Sequence, residues 1–539
     1  MTVRHALPIL LVLVLFGSHS ALAQNEILVL EGGTLIDGTG NAPINDAVVV
    51  LNRSRIETVG TRGEVAYPDS ALVIDVSGKT ILPGLIDSHI HLREWMPQMF
   101  LRYGVTTVAD TNNHHAWIVA EREALNSGRI KGPRIYIAGQ GMGGPNGELT
   151  PTNRTLRAAE EARAFVQEMI DLGVDMLKTQ ADLTPDQVSA IVEEAAAAGV
   201  PVVGHSRDAR EATVLGLKYM EHSDPLVTAI LSEMGPETLA AAAAGNTNPE
   251  DLMDPRLFDP LIELMVAEGV FVNMTMVARM RGASQREPGW IEFASNLVDD
   301  PELQFVPEEV REGWADPSRR NLTEVGFENF QEFVRKYAAA GGRVLAGTDA
   351  GYIPGLSLHY EMQMLADSGV SPMNVILSAT RWAAESFGKD GILGTVEPGK
   401  LADITVITGD PLADIANSQN IHLVIKNGKI VDTTYVADFV NPIPRPVDVD
   451  PVLAGLFPKV AHAGDPALVL EVQGEGFRPL AVVRFDTVDL ETEFISPTEL
   501  RAVVDPDSLQ RPGSYAVTVM NPGSGGGVSQ PIHFVVGVN

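Results

Sequence analysis

Two histidines one residue apart, His89 and His91, close the apolar run Leu82-Pro83-Gly84-Leu85-Ile86-Asp87-Ser88. In a strand, side chains two positions apart point to the same side, so both imidazoles would face one point. Lys178, His205, His222 and Asp349 follow, each at the end of another apolar, strand-like run. Imidazole and carboxylate suit a divalent transition metal such as zinc, whereas a lysine ammonium has no lone pair to offer. Met alone, His205 and His222 read equally well as core histidines, Lys178 as a solvated helix start and Asp349 as a helix cap. Their recurrence at the ends of several strand-like runs is what points to one site. With 0 Cys, thiolate ligands and disulfides are excluded, and any metal must be held by His and oxygen.

The elements that must position these residues alternate between apolar runs and helical stretches. Strands are expected at 81–91, 105–110, 134–138, 174–179, 200–205, 219–222, 270–276 and 343–349, with helices such as 158–169, 185–198 and 327–340 among them. Eight strands separated by helices predict a (β/α)8 TIM barrel over residues 83–391, with the site at the C-terminal ends of its strands. The polar stretches near 246–255 and 282–320 read as loop insertions that cover the site. Short β-type runs over 24–82 return at 392–437, so the two flanks are expected to form one composite β-sandwich domain. A proline-rich linker, 438–450, is expected to be extended and semi-rigid. Beyond it, 451–539 alternates short strands with Gly, Pro and Asn turns, the pattern of an immunoglobulin-like β-sandwich.

Residues 1–23 have the basic start, apolar middle and small-x-small end of a signal peptide, so the protein is expected to be exported, periplasmic or secreted. The formal charge of −31 argues against nucleic acid and anionic membrane surfaces as partners. A small-molecule substrate remains, with homo-oligomer formation and the partner of the C-terminal domain left open.

His89-x-His91, Lys178, His205, His222 and Asp349 together resemble the binuclear-metal pattern of the amidohydrolase superfamily. The likeness runs from about Ile27 to Val436. It includes Gly33-Thr34-Leu35-Ile36-Asp37-Gly38-Thr39-Gly40, Leu82 to Asp87, and Leu393-Gly394-Thr395-Val396-Glu397-Pro398-Gly399-Lys400-Leu401-Ala402-Asp403. These words resemble the branch of imidazolonepropionase-like hydrolases and dipeptidases acting on Xaa-Pro or N-acyl amino acids. The resemblance implies two divalent ions, zinc in the first instance. His89, His91 and Asp349 would hold one, His205 and His222 the other, and a carbamate on Lys178 would bridge them. It implies an attacking hydroxide between the ions, with Asp349 as the catalytic general base and then acid. The tail resembles IPT/TIG domains through Gly474-Glu475-Gly476-Phe477, Ile495-Ser496-Pro497-Thr498 and Pro512-Gly513-Ser514-Tyr515.

The function expected is hydrolysis of an amide C–N bond in a dipeptide or N-acyl amino acid. A cyclic amide or lactone hydrolase, a mononuclear deaminase and a non-catalytic binding protein on the same fold are the alternatives. Arg207 stands where prolidase-like relatives often have tyrosine, and the loop Gly141 to Gly147 lacks a histidine that many relatives carry there. Arg93 and Arg207, each two residues beyond a ligand histidine, are candidate clamps for a substrate carboxylate, against the alternative of ion pairs with Glu94 and Asp208. His114 and His115 are expected in a loop or pocket wall, Met274, Met276 and Met280 as filler, and His359 near the ligands or at the surface.

Overall fold

The computed structural model describes residues 27–145, 152–245, 248–279, 284, 286–316, 322–349, 352–445, 451–477, 481–521 and 527–538. The expected leader, Met280 and part of the loop after Gly141 lie outside them. No helix of the described residues is long and apolar enough to cross a membrane.

Eight parallel strands build the centre: β1 (Leu85–Ile90), β2 (Val105–Asp110), β3 (Arg134–Ile137), β4 (Leu177–Thr179), β5 (Val202–Gly204), β6 (Tyr219–Glu221), β7 (Phe271–Asn273) and β8 (Arg343–Leu345). Pairing runs from β1 to β3 and from β4 to β8. The Asp175 amide donates to Ile137 O at 2.8 Å and the Ser88 amide to Ala346 O at 3.2 Å, which joins the two arcs into a closed barrel. Helix Pro185–Ala198 shows how local sequence sets its limits. Thr184 and Gln187 form a reciprocal capping box, Pro185 opens the first turn, and Gly199 ends it with φ 69°.

The run expected as one strand from Ile81 to His91 is two. Lys79–Pro83 pairs antiparallel with Ile404–Thr408 outside the barrel, and the chain turns inward at Gly84, whose amide donates to Asp403 O at 2.8 Å. Any Cβ at Gly84 would meet Thr106 Oγ1 at 2.2 Å, so the crossing needs glycine. Strands β4 to β8 are only three residues each, shorter than expected, because the chain leaves the ladder as it reaches the site residues.

Strands from both flanks form one eight-stranded mixed sheet, in which Lys79–Pro83 lies between Ile27–Leu35 and Ile404–Thr408. Leu30, Val49, Ile81, Ile404 and Val406 bury one shared core there. His359, on helix Leu356–Asp367, is neither at the surface nor placed against the candidate ligands. It is buried and bonded to Ser418 Oγ at 2.8 Å and Tyr103 O at 2.9 Å, tying the barrel to this flank.

The polar stretch expected as loop over 282–320 carries helices Glu287–Ser295 and Glu308–Trp314. Trp290 stacks on Tyr360 at 4.2 Å and Tyr352 donates to Glu287, so the insertion is pinned to the end of the barrel. The described part of the proline-rich spacer, up to Arg445, is also attached rather than free. Asn441 Nδ2 donates to Glu94 O, Trp117 Nε1 to Ile443 O, and Gln98 exchanges two hydrogen bonds with the Val436 backbone. Beyond it the tail forms a β domain of two sheets over one core that includes Leu470, Val472, Leu500, Val517 and Phe534. Asp489 of that domain pairs with Arg157 in the segment after β3.

Candidate active site

His89 lies within β1 and His91 just beyond it; Lys178 is in β4, while His205, His222 and Asp349 follow β5, β6 and β8. These residues meet at one end of the barrel. The His89 and His222 rings are 4.9 Å apart, and those of His205 and His222 4.7 Å. Asp349 Oδ1 sits 3.2 Å from His91 Nε2 and 3.5 Å from His89 Nε2. His89, His91 and Asp349 can each turn a ligand atom within 4.8 Å of the others. Gly347 allows this approach, because a Cβ there would meet Asn273 Nδ2 at 2.4 Å and His89 Cβ at 2.8 Å.

The outer nitrogens of three imidazoles are engaged. His89 Nδ1 meets the Glu221 carboxylate at 2.5 Å and His91 Nδ1 meets Asn112 O at 3.0 Å. Both partners are acceptors, so both Nδ1 atoms carry a proton; neutral His89 keeps a lone pair on Nε2, and His91 Nε2 frees one when it gives up the proton it shares with Asp349. His222 Nδ1 meets Thr275 Oγ1 at 2.6 Å, and that hydroxyl lies 2.8 Å from Met274 O. A hydroxyl that gives its one proton to Met274 O must accept from His222 Nδ1, so His222 too leaves Nε2 bare. Bare imidazole nitrogens around a carboxylate form a donor set for a divalent cation.

Charge and burial agree with this. Burial favours the neutral acid at Asp349, yet the bond to His91 and the charges of His89, His91 and His222 hold its carboxyl well below the usual range. Burial pulls His91 down and the Asp349 carboxylate more than reverses it, so a proton there competes with a metal ion. Burial takes His205 and His222 well below the ordinary histidine value, and Lys178 lowers both further. Lys178 is 1% exposed and its Nζ has no hydrogen-bond partner. Burial lowers its pKa, opposed by Glu221 and Asp349. An unpartnered ammonium would be costly here, whereas a neutral amine able to take up carbon dioxide, or its carbamate, fits.

A match to the amidohydrolase family extends over residues 80–431. The chain belongs to the amidohydrolase family. Imidazolonepropionase from Pseudomonas putida is 25% identical over 407 residues, 71% of this chain and 92% of that protein. 5-Methylthioadenosine/S-adenosylhomocysteine deaminase from Symbiobacterium thermophilum is 37% identical over 67 residues, 12% of this chain and 15% of that one. Among solved structures, a Xaa-Pro dipeptidase with bound methionine superposes with a TM-score of 0.54 at 23% identity, over 75% of this chain and 100% of that one. Molinate hydrolase does so at 0.56 and 24%, over 76% and 95%. These two likenesses show the shared barrel and β-rich fold.

Several residues of this amidohydrolase site went unread in the sequence. Glu221 directly precedes His222, and an acid next to a candidate ligand at a strand end was the available signal. Asp87 stands inside the motif that leads to His89. It accepts from the Thr348 amide at 3.0 Å and hydroxyl at 2.7 Å, and burial lifts its carboxyl to about 7. Asn112 and Thr275 left no local signal.

The candidate clamps differ from each other. Arg93 is half-buried and feels the charge of buried Asp110, while Arg207 is exposed with no partner among the described residues. Neither forms the alternative ion pair, and Asp208 instead caps helix Ala209–Val214 by accepting from the Arg210 and Glu211 amides. His114 stands at the N-cap position of helix His115–Ser127 without a side-chain capping bond, His115 packs beside Gly139, and Met274 and Met276 are buried filler.

Proposed function

We propose that this amidohydrolase cleaves an amide C–N bond in a small substrate such as a dipeptide or an N-acyl amino acid, with two divalent ions, zinc in the first instance. His89, His91 and Asp349 would hold one ion, His205 and His222 the other, and Lys178, carboxylated on Nζ, would serve both. When bound, such ions supply Lewis acidity and lower the pKa of water towards neutrality. The observation that carries this reading is Lys178, a buried amine without an acceptor among four histidines and an aspartate. A mononuclear deaminase would leave that lysine without a task.

The remaining chemistry falls to the protein's own groups. Asp349, kept ionised by the imidazoles around it, takes the proton of the attacking water and returns it to the departing nitrogen. Glu221 and Asn112 keep the His89 and His91 rings in the orientation that presents Nε2. Arg207, with its guanidinium free, binds a substrate carboxylate, and Arg93 assists from the loop after β1. Hydrolysis of a cyclic amide is the second reading, favoured by the likeness to imidazolonepropionase.

Metal analysis of the purified protein, with a screen of dipeptides, N-acyl amino acids and cyclic amides, tests the proposal. The expected result is two ions per chain and turnover of acyclic amides. A single ion with full activity would point to the mononuclear enzyme, and turnover confined to cyclic amides or lactones would replace the substrate class.

A further inference from the structure

We propose that Thr275 and Glu361 are positioning residues for His222, Glu361 clamping the turn after β7 so that the Thr275 hydroxyl fixes the imidazole with Nε2 towards the site. The inference rests on the reading that His205 and His222 hold an ion. Three observations converge on it. His222 and Thr275 both have left-handed backbones, at φ 62° and 47°. For a β-branched threonine that is a true outlier, kept only where the surroundings impose it. The two strained residues are bonded to each other at 2.6 Å.

Glu361, on helix Leu356–Asp367, is what imposes the turn. Its Oε2 accepts the Val277 amide at 2.8 Å, and the Met276 amide bonds to the same carboxyl. The side chain is fully buried and Oε1 has no partner. Nothing in the proposed hydrolysis uses it. Burial lifts the carboxyl to about 8, so near pH 7 it acts chiefly as a neutral acid through its acceptor oxygen. Glutamine can supply the same acceptor; leucine cannot.

The test uses the full-length protein and the variants Thr275→Val, Thr275→Ser, Glu361→Gln and Glu361→Leu, with two readouts. The first is the ¹⁵N spectrum of histidine-labelled, metal-free protein, with the His222 signal assigned through His222→Gln. A single tautomer protonated on Nδ1 is expected in the wild type, Thr275→Ser and Glu361→Gln, and a mixture of tautomers in Thr275→Val and Glu361→Leu. The second is zinc affinity by chelator competition, where Thr275→Val and Glu361→Leu should lose one ion about 10- to 100-fold more readily and keep the other. Thermal melts identify any variant that does not fold, and if Glu361→Leu is one, the Thr275→Val and Thr275→Ser pair decides. An unchanged tautomer and unchanged affinity in Thr275→Val overturn the proposal. A wild type that binds fewer than two ions while showing the tautomer difference would instead overturn the two-ion reading and leave the positioning role standing.

Discussion

His89 and His222 present the same nitrogen to the site, but what holds each ring differs. His89 lies within its strand, where the pairing shifts register between Asp87 and Ile90, and Glu221 reaches across the barrel interior to its Nδ1, one buried carboxylate against one buried imidazole. His222 lies beyond its strand with a left-handed backbone, and its partner is the hydroxyl of a strained residue in a turn. A carboxylate partner makes an imidazole a stronger electron donor than a hydroxyl does. On the proposed two-ion reading, the half of the site built on His89, His91 and Asp349 should hold its ion more tightly, and the half built on His205 and His222 should exchange first.

The largest effect should come from Lys178, which on the proposed reading serves both halves. Lys178→Ala is expected to lose at least one ion and nearly all activity, with partial rescue by short carboxylic acids or bicarbonate. Turnover and metal content of that variant check this, and full activity would leave the two halves with no shared ligand. Asp349→Asn lies in the tighter half and removes the proposed proton carrier. Turnover should fall about 10² to 10⁴-fold in a protein that still folds, and near-normal rates would take Asp349 out of the mechanism. Glu221→Gln sharpens the contrast directly. It should weaken the tighter ion about 10- to 100-fold and bring the two affinities together, and chelator titration that leaves them as far apart would show that the carboxylate is not their source. The smallest effect is expected outside both halves. Arg207→Met should raise KM for carboxylate substrates several-fold more than for their amidated analogues, and equal changes in the two would remove Arg207 from substrate binding.

The clustering of His89, His91, Lys178, His205, His222 and Asp349 was legible because their residue types and strand-end positions single them out, and a barrel brings strand ends together whatever surrounds them. Helix Pro185–Ala198 was legible because Thr184, Gln187 and Gly199 mark its limits locally. The split at Gly84 was not, since it depends on the close approach of Thr106, a neighbour met only in the folded barrel. The partners of His89 and His222 lie 132 and 53 residues away in sequence, and the amide held by Glu361 lies 84 away, so no periodicity reports them. The attached spacer escaped for a related reason. Proline content describes backbone stiffness and says nothing of Trp117 or Glu94 waiting on the barrel surface.

The neighbour relation between Lys79–Pro83 and Ile404–Thr408 also sets a timetable. Leu82 pairs with Thr405, which the ribosome adds roughly 320 residues later. At synthesis rates of about 5–20 residues per second, that separation is on the order of tens of seconds. Throughout it the first strands of the flanking sheet have an open edge of unpaired amides and carbonyls, able to recruit any passing strand. The sheet can close only after the whole barrel has been made, so Ile404–Thr408 acts as a clasp over a domain already present.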